Sequence, residues 1–263
     1  MDTLHSLPLP SQFEGLRTRL EASSLKAITI HPKIQQTKAT DSKFSGHPYL
    51  PKTMHYPKDI DGNYFIFLAQ INFEQIHSFH PFPSKGILQF FISPSLVAYQ
   101  MSEEIFQHYF KVRYYPNPLP EQDLITDFSF LPKDIYSPIK NEMILQFANT
   151  IEPVSAMDYR LTKFIRPDDL KKRLDDGRTL EEHYFEYFLG AEHKIGGYPY
   201  FIHQDTRNDS SFLKRYDTLL FQIVSDDDLD IMWGDSGIIK FFINSKKLVQ
   251  GDFTDIYLQA EQY

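Results

Sequence analysis

Apolar runs of strand length recur along the chain and are separated by loops rich in Pro, Gly and Asp. Runs of this length, bounded by such residues, predict β-strands. The 23 Phe and 16 Tyr residues also favour strands. We expect strands over residues 25–31, 64–72, 86–93, 110–115, 143–147, 150–155, 219–224 and 237–243, with a last short element within 252–259.

Helical spacing is confined to a few segments. Thr179 and Glu182 form a capping box, in which the two side chains satisfy free backbone amides, and Gly190 ends the helix that follows. Other helical segments are expected over residues 10–24, 158–164 and 167–174. The predicted fold class is therefore α+β, mainly β, with a β-roll-like unit and a few peripheral helices.

An internal repeat organises the sequence. Four special residues of one segment recur in a later one at offsets of 151 or 152: Gly46, Pro48, Gln70 and Gly86 correspond to Gly197, Pro199, Gln222 and Gly237. Two copies are too few for a solenoid. We predict a single domain over residues 1–263, internally duplicated, with copies at about 44–93 and 195–244 related by a pseudo-two-fold axis.

One glutamine lies inside the central apolar run of each copy, Gln70 in the first and Gln222 in the second. A buried amide left without hydrogen bonds costs about 1–3 kcal/mol. We therefore expect both side chains to clamp the backbone of the neighbouring Gly-x-Pro loop.

Composition excludes several classes of function. A formal charge of −8 disfavours partners that need a cationic surface, such as nucleic acid or an anionic membrane. The chain has no Cys, which excludes disulfides, thiolate metal sites and a Cys nucleophile. No signal peptide or membrane-length apolar run is present, so a cytoplasmic location is expected. The acidic charge suits a basic partner protein.

The most specific segments lie in the second copy, over residues 193–199, 219–226, 232–237 and 241–243. Together they closely resemble the YwqG-like family of bacterial proteins, and the resemblance runs from about Phe44 to the C-terminus. It implies a β-rich roll with a few helices. The family has no assigned activity, so the resemblance implies no catalytic residues and no cofactor. One departure is His47, where relatives tend to have a second Gly.

The acidic run after residue 224 has two interpretations. Asp226, Asp228 and Asp230 fit positions one, three and five of a calcium-binding loop, but Ile231 replaces its required Gly and Gly237 its closing Glu. We therefore assign no metal site. The other interpretation is a solvated turn in which Asp226 caps the next segment.

Trp233 and Asp235 also have two interpretations. A Trp beside glycines and a carboxylate could bind a ring or a sugar. Alternatively, Trp233 plugs the core and Asp235 accepts backbone amides of a tight turn. His193, His203 and Asp205 could provide a general base, but no recognisable nucleophile or ligand spacing accompanies them.

Two hypotheses follow for the function. The first is a non-catalytic binding or interaction protein. The alternative is a small-ligand-binding protein or a hydrolytic enzyme, with its site between the two repeats near the Trp-Gly-Asp loop. Its candidate residues are those that occur only in the second copy: His193, Asp226, Trp233 and Asp235.

Overall fold

The computed structural model describes residues 7–77, 79–98, 108–132 and 136–263. Its ten strands form one antiparallel sheet in the order β10-β9-β8-β7-β1-β6-β2-β3-β4-β5. The predicted class, α+β and mainly β, is confirmed. The strands are β1 (Leu25–Ile34), β2 (Lys43–Phe44), β3 (Ile66–Asn72), β4 (Ile87–Ile92), β5 (Phe110–Tyr115), β6 (Met143–Glu152), β7 (Lys194–Gly196), β8 (Thr218–Val224), β9 (Gly237–Ile243) and β10 (Ile256–Gln262).

The helices are short and lie around the sheet: α1 (Arg17–Ser23), α2 (Pro94–Ala98), α3 (Leu161–Phe164), α4 (Pro167–Leu170), α5 (Leu180–Tyr187) and α6 (Ser245–Val249). A 3₁₀ turn over Ser11–Leu16 leads into α1, and Phe13 and Leu20 are buried as their spacing predicts. The capping box at Thr179 is confirmed. Across the described ranges, no helix is long and apolar enough to cross a membrane.

Strand β6 corrects one prediction. The expected strands 143–147 and 150–155 are a single strand, because each residue of β6 pairs with a residue of β1. Strand β1 is also longer than expected and continues through Pro32 to Ile34. Pro32 is tolerated because the pairing of β1 with β7 covers only Ala27 to Thr29, so the ladder on that side needs no amide from residue 32.

The main core lies on one face of the sheet, which we call the inner face. Side chains alternate between faces along each strand, and the inner-facing ones form one apolar cluster that spans both ends of the sheet. The sheet curves so that its two halves meet: the ring centroid of Phe90 lies 4.4 Å from that of Phe221 and 4.9 Å from that of Phe241. We call β2–β5 the first half and β7–β10 the second half.

The opposite, outer face is covered over each half but open over the central pair. Loops pack their apolar side chains against the first half and the second half in separate clusters. At the middle of the central pair, His31 pairs with Gln146, and both are exposed.

The two predicted glutamine clamps are confirmed. Gln70 accepts the amide of Tyr49 (2.8 Å) and donates to the carbonyls of Ala39 (2.8 Å) and Asp41 (2.7 Å). Gln222 makes the same three bonds to another loop: it accepts from the amide of Tyr200 (2.9 Å) and donates to the carbonyls of Gly190 (2.9 Å) and Glu192 (2.8 Å). Each clamp holds the loop that covers its half.

Replacement of either glutamine by leucine should destabilise the protein. Gln70→Leu or Gln222→Leu leaves one amide and two carbonyls unpaired beneath a loop, which we expect to lower the free energy of unfolding by about 2–4 kcal/mol. Urea denaturation measures the change. The exposed Gln146→Leu is the matched control and should stay close to the wild-type value. Equal effects at all three positions would contradict the clamp.

Candidate functional site: the acidic loop

The acidic run and the Trp-Gly-Asp segment form one loop, residues 225–237, which joins β8 to β9 and which we call the acidic loop. Its first part is a 3₁₀ turn over Asp227–Leu229, and Oδ1 of Asp226 accepts the amide of Leu229 at 3.2 Å. Asp226 also pairs with Ile231 in an isolated bridge. The interpretation of this run as a capped turn is confirmed.

Ser225 holds the second part of the loop. Its hydroxyl accepts the amides of Trp233 (3.0 Å) and Gly237 (2.8 Å), and its own amide donates to the carbonyl of Gly237 (2.8 Å). The sequence analysis gave this role to Asp235, which instead is exposed. The signal that was missed is a hydroxyl residue directly after a buried strand, a common position for turn-forming side chains.

Trp233 anchors the loop to the protein. Its side chain is only 4% exposed and belongs to the main core, so the expectation that it plugs the core is confirmed. The indole Nε1 is buried without a hydrogen-bond partner. The next residue, Gly234, has φ +53°, and a Cβ there would collide with the carboxamide of Gln262 on β10. Glycine adopts this left-handed conformation without the steric penalty that a side chain brings.

A neighbouring segment braces the loop from the side. The amide of Met232 donates to the carbonyl of Pro138 (2.7 Å), and Ile139 pairs with Ile231. Lys140 lies 3.6 Å from the carboxylate of Asp230. The loop is thus fixed by backbone bonds on both sides and by an indole beneath it.

Four carboxylates face solvent from this fixed loop: those of Asp227, Asp228, Asp230 and Asp235. Lys140 pairs with Asp230, and within the described part of the chain no other cation forms an ion pair with these groups. In the described part of the chain, no group of three or more His, Asp or Glu side chains could hold a metal ion. The arrangement therefore suits a ligand that brings its own positive charge.

His193 lies beside the start of the loop. It is 6% exposed, its ring contacts that of Phe44 at 5.4 Å, and its Nδ1 accepts the amide of Val224 at 3.2 Å. Since an amide donates to Nδ1, the ring proton of the neutral histidine is on Nε2, which is buried without a partner. Burial lowers the pKa of His193 to about 4, against the opposing attraction of Asp226.

The structure brings together only part of the candidate set. His193 and Asp226 are close enough to interact electrostatically, whereas Trp233 lies in the core and Asp235 on the solvent side. His203 and Asp205 do not form the His/Asp pair that a general base would need. Nε2 of His203 contacts the carbonyl of Gln262, and Asp205 is buried in an ion pair.

Buried ion pairs of the second half were missed by the sequence analysis. Arg207 is fully buried and lies 2.7 Å from the carboxylate of Asp205 and 3.1 Å from that of Asp158. Lys194 lies 2.9 Å from Glu152. Most charged residues lie on the surface, and the few that are buried are paired. No pattern in the sequence shows which charged residues these are.

Lys240 is a further buried cation of the second half, and it pairs with Glu261 on β10. Its ammonium donates to the carbonyl of Tyr200 (2.9 Å). In the first half, the side-chain amide of Gln89 donates to the carbonyl of Tyr49 in the same way (2.7 Å). Burial lowers the pKa of Lys240 to about 8. The pair ties β9 and β10 to the covering loop.

Truncation of the indole tests its role as an anchor. Trp233→Ala should lower the free energy of unfolding by about 3–5 kcal/mol because it empties part of the core. Trp233→Phe should cost much less, since it keeps an aromatic ring and removes the unpaired N–H. Thermal unfolding followed by circular dichroism gives both values. Ile60→Ala, at a side chain that is 65% exposed, is the control. A loss no larger than that of the control would show that the indole is dispensable.

His193 should make stability depend on pH. Its folded pKa of about 4 lies below its usual 6.5, so the unfolded chain takes up the proton first and stability falls as the pH drops from 6.5 towards 4. The contribution is about 3 kcal/mol. In His193→Gln, the loss of unfolding free energy between pH 7 and pH 4 should shrink by that amount. His55→Gln, at an exposed position, should leave the wild-type pH dependence unchanged. The same dependence in both variants would contradict the assignment.

One family match accompanies this geometry. Residues 42–261 match the sequence model of a family described as "Domain of unknown function (DUF1963)". The matched span includes residues 44–93 and 195–244 and the whole acidic loop. No curated protein matches the chain.

Proposed function

Because the chain belongs to the family described as Domain of unknown function (DUF1963), which carries no activity to transfer, we propose a function from the site itself. The protein is a non-catalytic binding protein, and its acidic loop docks a basic partner protein.

The observation that carries this proposal is the fixed, exposed set of carboxylates on the acidic loop. Trp233 and Ser225 hold the loop to the core, so its charges are presented without a large ordering cost. Only Asp230 is matched by a nearby cation among the described residues. A partner that brings lysines or arginines would gain attraction there, with the greatest effect on its association rate.

The distribution of charge supports the same proposal. Residues 190–263 carry 12 acidic and 7 basic residues, whereas the equally long segment 39–112 carries 6 and 5. Much of the negative charge therefore lies with the second half. The buried Arg207 pairs with the buried Asp205, and the buried Lys194 and Lys240 pair with the partly buried Glu152 and Glu261. Of the exposed carboxylates on the acidic loop, only that of Asp230 is paired among the described residues, so the loop can steer a basic partner.

The proposal includes a finer placement of the protein. It is a bacterial, cytoplasmic member of the YwqG-like group within the family. One of the segments that carry this resemblance, Met232 to Gly237, lies in the acidic loop.

The proposal also includes an origin by internal duplication within a single domain. Support comes from the two glutamine clamps, whose partners are offset by 151 residues. Register shifts occur at matching places, between Phe67 and Ala69 and between Leu219 and Phe221. The buried lysines Lys43 and Lys194 correspond as well. The pseudo-two-fold axis then passes through the exposed pair His31 and Gln146.

Neutralisation of the loop tests the docking proposal. A fluorescent deca-lysine peptide is titrated into the wild type and into Asp227→Asn/Asp228→Asn/Asp235→Asn at low ionic strength, and binding is followed by anisotropy. We expect binding to the variant to be at least about tenfold weaker, and wild-type binding to weaken as salt is added. The same two proteins, immobilised, are then exposed to bacterial extract, and basic proteins should be retained by the wild type alone.

The matched control removes the same charge elsewhere. Glu74→Gln/Glu121→Gln/Asp175→Asn changes three exposed carboxylates outside the loop and should bind like the wild type. Equal weakening in both triple variants would show that binding depends only on the net charge of the protein, which would contradict a docking site on the loop. Absence of peptide binding to the wild type would also contradict it.

A second candidate function is small-ligand binding, including hydrolysis of a bound ligand, near the Trp-Gly-Asp segment. It is favoured by the two unpaired donors, Nε1 of Trp233 and Nε2 of His193, which are buried in the candidate set. Buried donors without partners are rare, and both would suit a ligand with hydrogen-bond acceptors.

A thermal-shift scan tests this second candidate with metabolites that carry carbonyl, hydroxyl or phosphate acceptors. A ligand at about 100 times its dissociation constant adds about 2.7 kcal/mol to the native state. The shift should disappear in His193→Gln and persist in Asp235→Asn if the unpaired donors hold the ligand. No shift with any compound would remove the support for this candidate, and a shift that survives His193→Gln would place the ligand elsewhere.

A further inference from the structure

We draw no further inference here: the strongest candidate, the aromatic surface on the outer side of the first half, where Tyr64 and Phe130 lie near the exposed ring of His47 stacked on Phe128, carries nothing because nothing in the structure shows what covers it.

Discussion

Two buried carboxamides determine how the outer face of this sheet is covered. Gln70 and Gln222 each hold three backbone groups of a loop, and without them those groups would be buried and unpaired. The clamps fix the positions of Tyr49 and Tyr200, whose carbonyls then accept the next buried donors, Gln89 and Lys240. The arrangement of both halves thus depends on hydrogen bonds that start from two side chains.

The halves differ in what they build on this shared frame. Where the first half has the neutral side chain of Gln89, the second half has Lys240 paired with Glu261. The second half also buries Arg207 among carboxylates. Buried pairs of this kind contribute little net stability, but the loss of one partner is costly. The same half carries the acidic loop, where among the described residues only Asp230 forms an ion pair.

Much of the fold followed from the sequence because its signals are local. The apolar runs of β3, β4, β8 and β9 and the capping box at Thr179 need no knowledge of distant residues. The continuous strand β6 did not follow, since Ala148 and the polar Asn149 lie outside both predicted strands, and their extended conformation is fixed by pairing with β1. In the candidate site, the sequence pointed to Trp233 but not to Ser225, whose two accepted amides lie 8 and 12 residues away. The burial of Lys194 depends on Glu152, 42 residues earlier.

The order of strands in the sheet pairs an early segment of the chain with much later ones. Of the ten strands described, β1 is synthesised first, yet its partners are β6 and β7, which lie more than 100 residues later. Strand β7 of the second half therefore pairs with β1, and this pairing cannot form until residues 194–196 have been synthesised. Contacts of such sequence separation slow folding. During translation, β1 is therefore complete long before either of its partner strands has been made.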